Sequence, residues 1–250
     1  MRELAVALLM LCMFVNVSFV SALDVDDIQY YTEENAPGNF TENGKLKGIA
    51  VELLELIWKD MGYPKQKIRM VPWPRGYDAL KRKPGTCLFG TTYTVSRDKE
   101  EQFKWVGPIK PNNIVLFANS YHNIKLSSLD DAKQYKIGTV VDDVGEVLLL
   151  DNGFDLATLD RTSNVISNLK KLSTGRIDLF AKNSDSVISE IRAKKLNMDG
   201  YEIVWTLSEQ DQYYAFHKDT PQELIDRFQA ALDGLEDKRQ ELLKKYGVVK

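Results

Sequence analysis

The residues best placed to do chemistry lie in one short stretch, Gly90-Thr91-Thr92-Tyr93-Thr94-Val95-Ser96-Arg97, which ends an apolar run with hydroxyls and an arginine. A guanidinium fork beside hydroxyls and free backbone N–H groups matches the two oxygens of a carboxylate. A surface arginine paired with Asp98 or Glu100 fits the same residues, and the bare sequence leaves both readings open. Trp73-Pro74-Arg75-Gly76-Tyr77 falls between a strand and a helix, where Trp73 could stack on a ligand and Arg75 could meet an anion or an aromatic face. Core packing for Trp73 and a surface ion pair for Arg75 are the alternatives. Tyr31 and Glu33 end the first strand and could line one ligand cleft with Trp73 and Arg75, or be core and solvated surface. The motifs of catalysis are missing: there is no Gly-x-Ser-x-Gly elbow, His-Glu-x-x-His helix, phosphate-binding glycine loop or Cys-x-x-Cys pair. The two histidines, His122 and His217, are far apart in sequence. No catalytic residue, metal site or cofactor is therefore predicted.

These residues need elements to hold them. Leu53, Leu54, Ile57, Trp58 and Met61 share one helical face that Gly62 ends. Ser163 can cap a helix carrying Val165, Ile166, Leu169 and Leu172, closed by Gly175. Thr220-Pro221-Gln222-Glu223 reads as a capping box ahead of Leu224, Ile225, Phe228, Leu232 and Leu235. A last helix runs through Leu242, Leu243 and Tyr246. Between the helices lie short runs over residues 28–32, 68–71, 87–92, 114–118, 136–141, 177–181 and 213–217. Strand alternating with helix argues an α/β fold with mostly parallel sheets. Residues 80–89 and 169–180 also echo each other as helix end, turn and strand. Each strand then runs into a polar segment, Gly90-Thr91-Thr92 in one and Lys182-Asn183-Ser184-Asp185 in the other. Open parallel sheets bind ligands beyond the carboxyl ends of their strands.

Composition narrows the class. The chain has 250 residues, 44% hydrophobic and 28% charged, with a net charge of −3. That balance excludes a disordered chain, a fibre and a multi-span membrane protein, and it gives nucleic acid no basic field to bind. Residues 1–22 read as a secretory signal peptide: Arg2, an apolar run from Leu4 to Val20, then Val20-Ser21-Ala22, with the cut expected after Ala22. Cys87 is then the one cysteine left, so the mature chain must stand on its core without an internal disulfide. A bacterial envelope address fits this cysteine usage.

The sequence resembles the family 3 extracellular solute-binding proteins, the periplasmic receptors of amino-acid ABC transporters. The stretches that carry the likeness are Gly38-Asn39-Phe40, Gly44 through Leu54, Gly90-x-Thr92-x-Thr94-x-x-Arg97 and Phe103 with Gly107-Pro108-Ile109. Lys136-Ile137-Gly138-Thr139, Gly175-Arg176-Ile177-Asp178 and the C-terminal Tyr214-Ala215-Phe216, Thr220-Pro221, Leu232 and Tyr246-Gly247 follow in family order. The resemblance implies a two-lobed, type II periplasmic-binding-protein-like fold. Each lobe would be a mostly parallel sheet flanked by helices, and two crossing strands would join them. Residues 23–115 plus 212–250 would form lobe 1 and residues 116–211 lobe 2, closing on a ligand by a hinge.

Thr92 and Arg97 then fall where such receptors hold a ligand carboxylate, with Gly90 beside them as a further ligand-binding candidate. Other anchors depart from the pattern. A Gly-Thr or Gly-Ser at a helix start is replaced by Asp142-Asp143, which would cap the helix and repel a carboxylate. The aspartate that grips an ammonium falls on Asn183, with Asp185 two residues on. The implied function is a monomeric periplasmic receptor for a small polar solute, an amino acid or similar, presented to a transporter permease or a sensor. An enzyme on the same scaffold, of dehydratase or lyase type, and a stand-alone sensor are the alternatives. Glu33 or Asp185 buried without a cationic partner would favour the enzyme.

Overall fold

Apolar residues at helical spacing between Gly48 and Gly62 fold as expected. In a computed structural model, which describes residues 23–248, Leu53, Leu54, Ile57 and Trp58 of the first helix are all fully buried. The signal peptide expected over residues 1–22 lies outside the described residues. In chain order the elements are β1 (Gln29–Thr32), β2 (Phe40–Glu42), β3 (Lys45–Lys47), α1 (Ile49–Asp60), β4 (Ile68–Met70), α2 (Trp73–Arg82), β5 (Thr86–Thr92), α3 (Val95–Glu101) and β6 (Lys104–Asn119). Then come β7 (Ile137–Val140), α4 (Val144–Asp151), β8 (Asp160–Thr162), α5 (Val165–Ser173), β9 (Leu179–Asn183), α6 (Ser184–Ala193), β10 (Tyr201–Phe216), α7 (Gln222–Asp233) and α8 (Glu236–Lys245).

Eight strands form one continuous sheet in the order β4-β1-β5-β10-β6-β9-β7-β8, and β2-β3 is a separate hairpin. Strands β4, β1 and β5 are parallel to one another, as are β9, β7 and β8. Between these groups run β6 and β10, 16 residues each and antiparallel, paired from Lys104↔Phe216 to Tyr201↔Asn119. Their middles are polar, with Gln210 facing Asn112 and Gln212 facing Lys110. That polarity hides two continuous strands in the sequence, where only their apolar ends, 114–118 and 213–217, read as strand.

Each end of the sheet has its own core. Helices α1, α7 and α8 bury Ile57, Trp58, Phe228 and Leu243 against Tyr30, Phe89, Tyr214 and Phe216. At the other end Leu149 and Phe154 pack on Leu116, Ile137, Leu179 and Ala181. Each such leucine, isoleucine or phenylalanine contributes about 1.5–3 kcal/mol on burial. A third cluster contains Trp73, Tyr77 and Leu88 from one end together with Val140, Leu169 and Phe180 from the other.

Two cap expectations need correction. The side chain that caps α5 is Asn164, accepting from Ser167 N at 2.9 Å, rather than Ser163. At α7 the N-cap is Pro221 and no side-chain cap forms, because the helix starts one residue later than the capping box requires.

Candidate functional site

Strand β5 delivers the first half of the site. Gly90 has φ +75, and a Cβ there would meet Asn39 Oδ1 at 2.7 Å, so glycine lets the strand end pass close to that side chain. Thr94 then caps α3 by accepting from Arg97 N at 3.1 Å, which sets Arg97 in the first turn, facing inward and 2% exposed. Its Nη1 donates to Thr92 O at 2.9 Å and its Nη2 to Asp142 O at 2.9 Å. The guanidinium carbon lies 5.2 Å from the Trp73 ring centroid and 5.1 Å from that of Tyr77. Trp73 Nε1 donates to the same Asp142 O at 3.0 Å. Arg97 is buried and forms no ion pair with Asp98 or Glu100, which decides against the surface-pair reading, and Asp98 accepts from Trp105 Nε1 at 3.1 Å instead.

Strand β9 delivers the second half. Lys182 on this strand is fully buried. Its Nζ donates to Asp143 Oδ2 at 2.5 Å and to Glu33 Oε1 at 3.3 Å. Asp143 is the N-cap of α4, accepting from Gly145 N at 3.3 Å. Gly145 lets α4 press on β9, since a Cβ there would meet Ala181 O at 2.6 Å. Burial alone would push the Lys182 ammonium down, but Asp143 and Glu33 together hold it above its ordinary range. Burial holds the Glu33 carboxyl above its usual range, against the pull of Lys182.

The Asp142 turn that meets Arg97 has its own support. Glu146 accepts from Asp142 N at 2.9 Å and Thr139 Oγ1 at 2.7 Å, and takes a two-pronged pair from Arg161 at 2.8 and 2.7 Å. Burial would raise the Glu146 carboxyl, but the bonds from Arg161, Asp142 N–H and Thr139 hold it below the usual glutamate range. Asp142 itself has φ +58.

The long strands supply the floor. Asn112 Nδ2 donates to Thr92 Oγ1 at 2.7 Å, and Asn112 Oδ1 accepts from Gln212 Nε2 at 3.3 Å and from Asn183 Nδ2. Asn183 Oδ1 caps α6 by accepting from Ser186 N at 2.8 Å. Together these groups line a cavity of about 10 Å³, room for one water. Three buried polar atoms of its walls have no partner: Arg97 Nε, Asn35 Oδ1 and Gln212 Oε1.

Of the residues singled out from sequence, Gly90, Thr92, Arg97, Trp73, Glu33, Asp143 and Asn183 line this cavity. Three do not. Tyr31 points into the core, its hydroxyl on Gln29 Oε1 at 3.0 Å, because its place in β1 faces α2. Arg75 is exposed on the outer face of α2. Asp185, one residue beyond the α6 start, turns away and accepts from Lys110 Nζ at 3.0 Å. Sequence reading missed Lys182, Asn35, Asn112 and Gln212. The available signals were a lysine on a strand that is otherwise apolar up to Ala181, and amides inside two long strands. Glu33 and Asp185 each have a lysine partner, so the mark expected of an enzyme is not met at either.

Among the described residues no group of histidine, cysteine and carboxylates could hold a metal ion, and no helix is long and apolar enough to cross a membrane. The family model of bacterial extracellular solute-binding proteins, family 3, matches residues 28–249. No curated protein matches the sequence. Among solved structures, a histidine kinase sensor domain with similarity to periplasmic binding proteins superposes with a TM-score of 0.75 at 22% identity, covering 88% of this chain and 95% of that one. The arginine-, lysine-, histidine-binding protein ArtJ of Geobacillus stearothermophilus gives 0.73 at 16% identity, covering 89% and 96%. An ABC uptake transporter substrate-binding protein of Streptococcus pneumoniae with bound histidine gives 0.73 at 15% identity, covering 88% and 92%. At these identities the likeness fixes the α/β fold.

Proposed function

The chain belongs to the bacterial extracellular solute-binding proteins of family 3, and from that premise we propose that it is a periplasmic receptor that closes over one small polar solute. The observation that carries this reading is Arg97. It is a buried cation whose polar contacts are both backbone carbonyls, it stands at the wall of a small cavity, and its Nε has no partner. A guanidinium held this way keeps its charge and spare N–H donors for an anionic or acceptor group of a solute.

Residues 23–115 plus 212–250 and residues 116–211 would be the two lobes, with β6 and β10 as the hinge strands. In support, cavity residues come from both sides of these strands, and Trp73 and Arg97 both hold Asp142 O across the gap. A cavity of about 10 Å³ is too small for an amino-acid-sized solute, so this conformation is closed on its own side chains. Opening about the hinge admits the solute, and the closed, loaded form is what a transporter permease would recognise. No pair of carboxylates in the cavity is free of a cation, which supports binding without catalysis. The likeness to a histidine kinase sensor domain favours a second reading, in which the closed form signals to a sensor.

The test is a thermal-shift screen of the mature chain against amino acids, amides, polyols and small carboxylates. A solute at 100 times its Kd adds about 2.7 kcal/mol, several degrees in a chain of this size. A saturable shift in wild type that is lost in Arg97→Ala supports the receptor. No shift from any class, with mass spectrometry showing nothing already bound, overturns it.

A further inference from the structure

Resting on the receptor reading, we infer that Glu33 and Asp143 form an ammonium site that the chain fills with its own Lys182, so the solute it accepts carries no free amine for that site. Lys182 Nζ lies between Asp143 Oδ2 at 2.5 Å and Glu33 Oε1 at 3.3 Å, and all three residues line the cavity. Two carboxylates converging on one buried cation are what a site for a free ammonium group would present. Here that cation is covalently tethered, so its local concentration far exceeds that of any free amine.

Both carboxylates of that site are already engaged by Lys182 Nζ, so a solute amine could pair with them only by displacing Lys182. Lys182 is fully buried on β9, between Ala181 and Asn183, both buried as well. Once displaced, its charge would lie in the interior with no carboxylate of its own, since Asp185 is already on Lys110. The cap on α4 also fixes Asp143 in place, so the carboxylate cannot swing to a newcomer without uncapping the helix.

The other wall behaves differently. Arg97 contacts no carboxylate, and Asn35 Oδ1 and Gln212 Oε1 are unpartnered acceptors. A solute that matches these walls has an acceptor or anionic head for Arg97 and hydroxyl or amide donors for the two acceptors. Hydroxy acids, small carboxylates and their amides are the class, and ordinary α-amino acids are excluded.

Two experiments decide this. In the first, the full mature chain of Lys182→Ala is melted with increasing propylammonium chloride, with tetramethylammonium chloride as control. The vacated site takes up the free ammonium, so Tm rises saturably, by roughly 5–10 °C at 100 times the Kd, while wild type does not respond. Glu33→Gln/Lys182→Ala, which keeps one carboxylate, is the second variant should the first not fold, and it too gains stability from propylammonium. No response beyond the tetramethylammonium control in whichever variant folds overturns the inference. In the second, wild type is titrated with lactate against alanine, and with further hydroxy acids against their amino counterparts. An amino acid that shifts wild type as strongly as its hydroxy counterpart also overturns it. Rescue by propylammonium with no solute shift in wild type upholds the ammonium site and counts against the receptor reading. A solute shift without rescue does the reverse.

Discussion

Arg97 and Lys182 are both buried cations at the carboxyl end of a strand, one after β5 and one on β9, yet they are held in opposite ways. Arg97 is held by dipoles: two carbonyls and two aromatic faces orient it without cancelling its charge. Lys182 is held by ions, with a carboxylate on either side. The two ends echo each other in sequence, but one presents an open charge and the other a closed one. On the proposed receptor reading, burial of a cation is therefore not enough to mark a ligand anchor. What matters is whether its partners are neutral.

The largest effect should come from breaking the closed side. Lys182→Met leaves Glu33 and Asp143 buried together without a cation and costs about 3–5 kcal/mol at neutral pH, read by denaturant unfolding. Lowering the pH should return part of that loss as Glu33, whose carboxyl burial already holds high, takes up a proton. A Lys182→Met protein as stable as wild type at pH 7 would show that the pair is not closed.

Next comes the open side. Arg97→Ala loses two charge-assisted hydrogen bonds and its ring contacts. It should cost about 3 kcal/mol and abolish solute binding, whereas Arg97→Lys restores charge without the fork and recovers little affinity. Equal solute affinity in wild type and Arg97→Ala would remove the contrast between the two ends.

A smaller effect tests what supports the open side. Arg161→Met leaves Glu146 with only Thr139 and the Asp142 N–H, and should cost about 2 kcal/mol, discounted because Arg161 is partly exposed. The Glu146 carboxyl is depressed in the folded protein. Its contribution is therefore present above the ordinary glutamate pKa and lost as the pH falls through its lowered folded value. Arg161→Met should flatten that acid limb in a Tm-against-pH series, and an unchanged limb would show that the pair does not hold the Asp142 turn.

The smallest effect is on the caps. Thr94→Ala should cost about 1 kcal/mol by uncapping α3, with solute affinity falling because Arg97 is no longer set in the first turn. Arg75→Ala, on the outer face, should stay within about 0.5 kcal/mol and leave affinity unchanged.

Much of this was legible in the sequence where one physical rule acts locally. The face of α1, the apolar halves of the strands and the inward turn of β5 follow from periodicity and from apolar runs that end in glycine or hydroxyls. Long-range pairing was not. Lys182 reads only as the start of a polar strand end because its partners sit at 33 and 143, and nothing local announces them. Setting aside Arg97 as a surface residue needed its burial, which the bare sequence does not show. Asp185 read as a site residue by proximity to Asn183, but two residues into a helix is more than half a turn, enough to point it at Lys110. The continuous β6 and β10 were hidden by the polar middles that face the site.

The most direct measurement is a crystal structure of the mature chain with the solute found in the screen. The account predicts an acceptor group of that solute within hydrogen-bond distance of the Arg97 guanidinium, with Lys182 still seated between Glu33 and Asp143. A solute amine lying between Glu33 and Asp143, with Lys182 swung away, would contradict it.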